Sequence, residues 1–196
     1  IENIMSRTVG KRLSSNQIKR LKATDLPGLG LGEDVTLAIK ARVVIIEVLQ
    51  QQIAELEMRL QEKVAPETDF KRLMTVPGIG KVLATLIYLE TGPIDRFASA
   101  GNYASYARCV NSEYSSNGKE KGSGNTKNGN KYLAWAFVEA AHLAARYCPQ
   151  AKRFYERKKA KGSTALATKA LAHKLARACY YILKQREPFD VTRCFA

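Results

Sequence analysis

Histidine is nearly missing from this 196-residue sequence: it occurs twice, as His142 and His173, each alone within a stretch of helical pattern. Neither has a partner at metal-ligand spacing, and a lone helical histidine is more often a packing or surface residue than a catalytic one. The four cysteines, Cys109, Cys148, Cys179 and Cys194, stand far apart with no C-x-x-C among them, which argues against a zinc site. Nothing marks the chain as secreted, so reduced thiols of a cytosol are expected. Long apolar runs and a signal-peptide pattern are both lacking, which removes a membrane from the expected partners. Acidic residues are the other shortage. Glu90, Asp95, Glu139 and Asp190 are scattered, so neither a metal site nor a two-metal nuclease site is read in this chain, and no cofactor is expected in it. The glycine run Leu26–Gly32 has no Lys-Ser/Thr after it, which discounts a nucleotide P-loop. No alternating strand pattern competes with the helical ones, and the expected class is all-α.

Basic and apolar residues are what the chain has in quantity. Lys and Arg number 32 against 18 Asp and Glu, a formal net charge of +14. Such an excess repels itself in a compact state unless something anionic compensates, and nucleic acid is the commonest such partner. Hydrophobic residues make up 45% of the chain, enough for it to fold. The chain begins at Ile1 and not at Met, from which we expect a fragment with a domain upstream.

Three parts are expected. Residues 1–34 form a short helical and turn lead-in, with Ser14-Ser15-Asn16 capping a helix through Ile18 and Leu21. Residues 35–65 read as one long helix of coiled-coil type. Ile39, Ile46, Ile53 and Leu60 recur every seven residues, and Leu49 and Leu56 complete a three-four spacing, with Arg42 interrupting the seam. Pro66 ends it. Residues 66–196 read as a helical domain. Its expected helices run from about Thr68 to Thr75, Lys81 to Glu90, Asn102 to Ala107, Lys131 to Tyr147, Ala151 to Ala160 and Thr164 to Gln185. Leu133, Phe137, Ala140, Ala144 and Tyr147 lie along one face of the fourth, and Ser163 is the expected cap of the last.

Three segments of this last part carry chemistry. The first, Val76-Pro77-Gly78-Ile79-Gly80-Lys81, joins two helices and reads as a helix-hairpin-helix over about 68–90. The two glycines permit a tight turn, and the second helix begins with free N–H groups and a positive dipole end. A phosphate fits there, Lys81 adds charge, and Ile79 anchors the turn in the core. The second is the Ser-, Gly- and Lys-rich loop 111–130, long for a compact domain, with Lys119, Lys121, Lys127, Asn128, Asn130 and Lys131 as candidate DNA contacts. Third is the basic stretch Lys152, Arg153, Arg157, Lys158, Lys159 and Lys161, interleaved with Phe154 and Tyr155, as in a helix that lies along a phosphate backbone.

The run Leu73 to Phe97, then Ala98-Ser99-Ala100-Gly101-Asn102-Tyr103-Ala104-Ser105-Tyr106-Ala107, Ser115-Ser116, Thr126-Lys127-Asn128-Gly129-Asn130 and Tyr132-Leu133 to Glu139-Ala140-Ala141, resembles the C-terminal transposase domain of the DEDD-type insertion-sequence transposases. The related pilin-gene DNA invertases belong to the same group. The resemblance covers roughly 68–160, and the long helix upstream also fits it. It implies an N-terminal acidic domain that binds Mg²⁺, outside this chain, and a serine of the long loop that joins covalently to DNA. That serine is Ser116 by position, with Ser115 as the close alternative. The resemblance also implies a homo-oligomer, dimer or tetramer, that assembles a composite site in the bacterial cytoplasm at the nucleoid. For some members it implies a structured guide RNA. The full-length protein is then a transposase or DNA recombinase, and this fragment alone is expected to be inactive. Arg108-Cys109-Val110-Asn111 departs from the usual Gly-Leu-Val-Pro before the loop, and Asn117 from the usual Gly. The rival expectation is a helix-hairpin-helix nucleic-acid-binding module without covalent chemistry. A tyrosine recombinase is disfavoured because His173 has Arg177 four residues on, not three.

Overall fold

The computed structural model describes residues 1–10, 12–110 and 128–196, together with the backbone of 113–116 and 119–123. It is all-α, and it divides into two compact units, Ile1–Gln61 and Glu62–Ala196. No helix among the described residues is long and apolar enough to cross a membrane.

In the first unit, α1 (Glu2–Val9) precedes α2 (Ser15–Arg20), two short 3₁₀ turns and the beginning of α3 (Glu33–Val64). Ser14 caps α2 through a capping box: its hydroxyl accepts from Gln17 N while the Gln17 side chain accepts from Ser14 N. Met5, Leu13, Leu26, Ile39 and Val43 form a small buried cluster. α3 has 32 residues, a rod of about 48 Å. Of its heptad positions, Ile39 is buried, whereas Leu49, Ile53, Leu56 and Leu60 are exposed.

The second unit is built from α4 (Thr68–Leu73), α5 (Lys81–Thr91), α6 (Ala100–Tyr106), α7 (Lys131–Tyr147), α8 (Pro149–Ala160), α9 (Thr164–Gln185) and α10 (Val191–Phe195). α7 and α9 are the central pair, with α5 and α8 against α7, and α4, α6 and α8 against α9. Both central helices start where a side-chain oxygen satisfies first-turn N–H groups. Asn130 accepts from Tyr132 N and Leu133 N, and Ser163 accepts from Leu166 N. Small residues let the helices approach closely: Ala136, Ala140, Ala141 and Ala144 on α7, and Ala167, Ala172 and Ala176 on α9, are all buried. Tyr103 fills the centre. Its hydroxyl pairs with Thr91 Oγ1 at 2.8 Å, and its ring meets Phe97 and Phe137 edge-on.

Three expectations need correction. The sequence pattern puts Tyr147 on the inward face of α7, but it is 69% exposed, because α7 gives way at its last turn to Cys148 and α8; its ring meets the neighbouring Arg146 guanidinium, 5.3 Å from its centre. The 111–130 segment reads as loop throughout. Its described backbone includes a small antiparallel pairing, β1 (Glu113–Ser116) with β2 (Lys119–Ser123), with a register irregularity between Tyr114 and Ser115. α1 and α10 have no counterpart among the expected helices. α10 is five residues long and starts only because Asp190 Oδ1 accepts from Thr192 N and Arg193 N.

Candidate nucleic-acid interface

The turn 74–80 between α4 and α5 is fixed from below. Ile79 is buried, and its N–H bonds to Val76 O at 3.0 Å. Gly78 has φ +85°, and its Cα lies directly on α7. A Cβ there would collide with the Ala140 carbonyl oxygen and stand 2.8 Å from Ala144 N, so only glycine allows this packing. Gly80 is the opposite case: it is exposed and faces open space. As the residue before α5 it brings no side chain to cap the first turn, and exposed Lys81 stands beside those N–H groups. Of the residues expected to contact DNA here, the structure therefore turns Gly78 and Ile79 inward and Gly80 and Lys81 outward.

At the other end of α5 a polar network holds the far root of the 111–130 segment. Asn130 Nδ2 donates to Glu90 Oε2 at 2.5 Å, and Asn130 N donates to Tyr106 O at 2.6 Å. With its oxygen engaged by the α7 N-terminus, the Asn130 side chain is committed within the chain. Gly129, at φ +91°, passes so close to Tyr106 O that a side chain would collide with it. The Tyr106 hydroxyl is bonded to the Asn130 and Arg96 side chains, which lowers its pKa from the ordinary tyrosine range. The Arg96 guanidinium covers the Tyr106 ring at 4.7 Å and the Phe97 ring at 4.5 Å. Arg108 sits at φ +55°, a left-handed conformation that side chains rarely adopt, and its Nη2 donates to Gly129 O at 2.9 Å. Sequence reasoning misses Glu90, Arg96, Tyr106 and Arg108 as a group. Only the Arg108 departure from a glycine pattern hints at a special backbone there.

These contacts also give direction. Gly78 touches the second half of α7 while Glu90 meets its first residues, so α5 runs antiparallel to α7. The hairpin turn and the root of the serine segment therefore lie at opposite ends of an 11-residue helix, about 16 Å apart. No single phosphate reaches both. A duplex, with a base pair every ~3.4 Å along its axis, would span the gap in about five pairs.

The remaining candidates divide by position. Lys131 and Asn128 are exposed at the start of α7, and Lys131 Nζ lies 5.0 Å from the Tyr132 ring centre. Lys152, Arg153, Arg157, Lys158 and Lys159 are exposed on α8, and Lys161 just after it. Arg157 and Lys158 both stand over the Phe154 ring, at 5.6 and 5.7 Å. Ser115 and Ser116 fall on β1, and Lys119 and Lys121 on β2; their side chains, together with Asn117 and Lys127, lie outside the described residues. Among the described residues no three His, Cys, Asp or Glu side chains come together as a metal site.

Residues 70–156, from α4 to well into α8, match the model of the transposase IS116/IS110/IS902 family. The chain is 30% identical over 146 residues to a protein of Yersinia enterocolitica named "Transposase for insertion sequence element IS1328". That similarity covers 72% of this chain and 44% of that protein. It is 26% identical over 103 residues to a "Probable family 20 transposase" of Pseudomonas aeruginosa, covering 53% of this chain and 30% of that one. The chain thus spans less than half the length of the curated relatives it matches.

Proposed function

We propose that this chain is the C-terminal part of an insertion-sequence transposase of DEDD type, that it binds DNA, and that it supplies Ser116 as the nucleophile of strand exchange. One coincidence carries the reading. The stretch similar to transposases, residues 70–156, is also the stretch that contains the uncapped α5 N-terminus, Ser116 and the first exposed cations of α8, Lys152 and Arg153. The α4–turn–α5 unit acts as a helix-hairpin-helix: buried Ile79 and Gly78 hold the turn, and Gly80 with Lys81 offers N–H groups and charge to a phosphate without reading bases. Lys152, Arg153, Arg157, Lys158, Lys159 and Lys161 follow the backbone beyond it.

In the covalent step, the Ser116 oxygen attacks a phosphodiester phosphorus. The serine O–H and one strand phosphorus–oxygen bond break as the new oxygen–phosphorus bond forms, and the proton given up by the serine is balanced by the one taken up by the released strand oxygen. Lysines of the same segment offset the charge that develops on the phosphate. Activation of the serine requires a base or metal, which the reading assigns to Mg²⁺ held by the acidic N-terminal domain of the full-length protein. Pairing of subunits is assigned to α3, whose exposed Leu49, Ile53, Leu56 and Leu60 form a seam that a lone helix leaves in water. A structured guide RNA is a further partner under this reading.

The test has two arms. Duplex binding by this chain should weaken steeply with salt, and charge removal at Lys81 and on α8 should flatten that slope by about one unit for each phosphate no longer neutralised. In the full-length protein, Ser116→Ala should abolish strand cleavage while DNA binding persists. Cleavage that survives in the alanine variant would return the chain to the rival reading of a binding module, after Ser115→Ala has been checked in the same way.

A further inference from the structure

A groove of about 670 Å³ lies between α8, α9 and the segment that follows α9, and none of its lining residues belongs to the hairpin or the serine segment, although Phe189 N donates to Thr75 Oγ1 at 2.8 Å. Its floor is one stripe of α9. Lys174, Arg177, Tyr181 and Gln185 follow one another at three- and four-residue steps, beside buried Ile182, which also lines the groove, while Leu171, Leu175 and Cys179 on the adjoining face are buried in the core. Four cations line the groove, Lys158, Lys174, Arg177 and Arg193, against two carboxylates. Both carboxylates are already engaged. Asp190 caps α10, and Glu187 lies 3.8 Å from Arg193. Lys158, Lys174 and Arg177 form no ion pair with a carboxylate among the described residues, so the groove holds uncompensated positive charge. His173 responds to it: burial, then Arg177 and Lys174, lower its pKa from the ordinary histidine value.

The groove is also aromatic. Tyr181 is 42% exposed, and its ring is braced edge-on by buried Tyr180 at 5.4 Å. Phe154 forms the facing wall, with Lys174 Nζ 5.2 Å from its centre. An open ring on a rigid helix, within two turns of Lys174 and Arg177, is what successive bases and phosphates of a single strand require. A duplex hides its base faces and could not use Tyr181. A free carboxylate or phosphate would leave the ring idle.

We infer that this groove is a binding site for single-stranded nucleic acid, with a base stacked on Tyr181 and the adjoining phosphate held by Lys174 and Arg177. The inference rests on the proposed function in taking nucleic acid as the ligand, and it adds a second site of different strand character. In the transposition reaction it would hold a strand that cleavage or unpairing has released from the duplex.

The test is fluorescence anisotropy on the whole 196-residue chain with a short labelled thymidine strand, the same strand as RNA, an abasic strand of equal length, and a duplex. Tyr181→Ala should weaken single-strand binding about tenfold and leave duplex binding within about twofold. The abasic strand should bind the unaltered chain about as weakly as the thymidine strand binds Tyr181→Ala. A Lys174→Ala/Arg177→Ala double variant should lose single-strand binding and flatten its salt dependence. A preference between DNA and RNA identifies the source of the strand, and either supports the site. Unchanged single-strand affinity in these variants, equal binding of the abasic strand, or no single-strand binding by the unaltered chain would each overturn the inference. Failure of duplex binding would instead count against the proposed function, so the two readings fail separately.

Discussion

Asn130 and Glu90 are forty residues apart in sequence, and the Asn130 amide nitrogen donates to the Glu90 carboxylate at 2.5 Å. The same amide caps α7 through its oxygen. One side chain thus starts a central helix and ties its first turn to the end of α5. Asn130→Ala should cost about 1–2 kcal/mol of unfolding free energy, mostly through the missing cap. Asn130→Asp separates the two roles, since Asp caps well but cannot donate to Glu90. It should be destabilised near neutral pH and recover as pH falls. Two facing carboxylates bind a proton more tightly folded than unfolded, so their shared stability is present at low pH and lost as pH rises. Urea unfolding across that range is the measurement. An Asp variant as stable as the parent at neutral pH would show that the Glu90 hydrogen bond contributes nothing.

Gly78 and Gly80 differ by two positions and should differ widely in tolerance. Gly78→Ala meets both a positive φ and the α7 backbone, and should lose about 2–4 kcal/mol. Gly80→Ala faces open space and should change stability by less than about 1 kcal/mol. Thermal melts of the two variants decide it. Similar melting temperatures would refute the placement of Gly78 against α7.

Arg108 occupies a left-handed conformation at the end of α6, where Arg108 N donates to Ser105 O and Cys109 N to Ala104 O. Glycine adopts that conformation freely, and alanine does not. With the guanidinium removed in both, Arg108→Gly should be more stable than Arg108→Ala by about 0.5–1 kcal/mol. The reverse order, read from the same denaturant titrations, would mean that residue 108 is not held at positive φ in solution.

Burial pushes the Cys109 thiol up to about 12 from an ordinary 9.0. Between those values the folded thiol keeps its proton while the unfolded one loses it, so the native state binds more protons there. Stability from this group is intact below about 9 and falls as pH rises towards about 12. Cys109→Ala should therefore show a shallower loss of stability on the alkaline side than the parent. Parallel pH profiles would exclude this contribution. The same burial predicts that Cys109 and Cys179 resist alkylation in the native chain, with half-buried Cys194 labelled first.

The helices legible in the sequence are those with both an amphipathic pattern and a local start signal. α7 begins after Asn130 and α9 after Ser163, as their caps require, and Ile79 lies in the core as its place in the turn suggests. What escapes sequence reasoning depends on partners distant in the chain. The Glu90–Asn130–Tyr106–Arg96 network joins three helices and a turn, and no spacing in the sequence announces it. Asn130 reads as a polar loop residue free to meet DNA because its partners Glu90 on α5 and Tyr106 on α6 are set only by folding. Gly78 reads as a ligand-facing glycine for a similar reason, since the atoms it avoids are 62 and 66 residues away on α7. The groove over α9 is hidden because Lys174, Arg177 and Tyr181 sit in a helix whose pattern draws attention to its buried face.

The antiparallel course of α5 against α7 makes α5 a gauge between the hairpin turn and the root of the 111–130 segment. One inserted or deleted residue within Lys81–Thr91 would rotate Lys81 by about 100° relative to Glu90 and change their separation by about 1.5 Å. Either Gly78 would leave its seat on α7 or Glu90 would miss Asn130. Length variation among functional relatives should therefore collect in the segment beyond Arg108 and after α9, and spare α5.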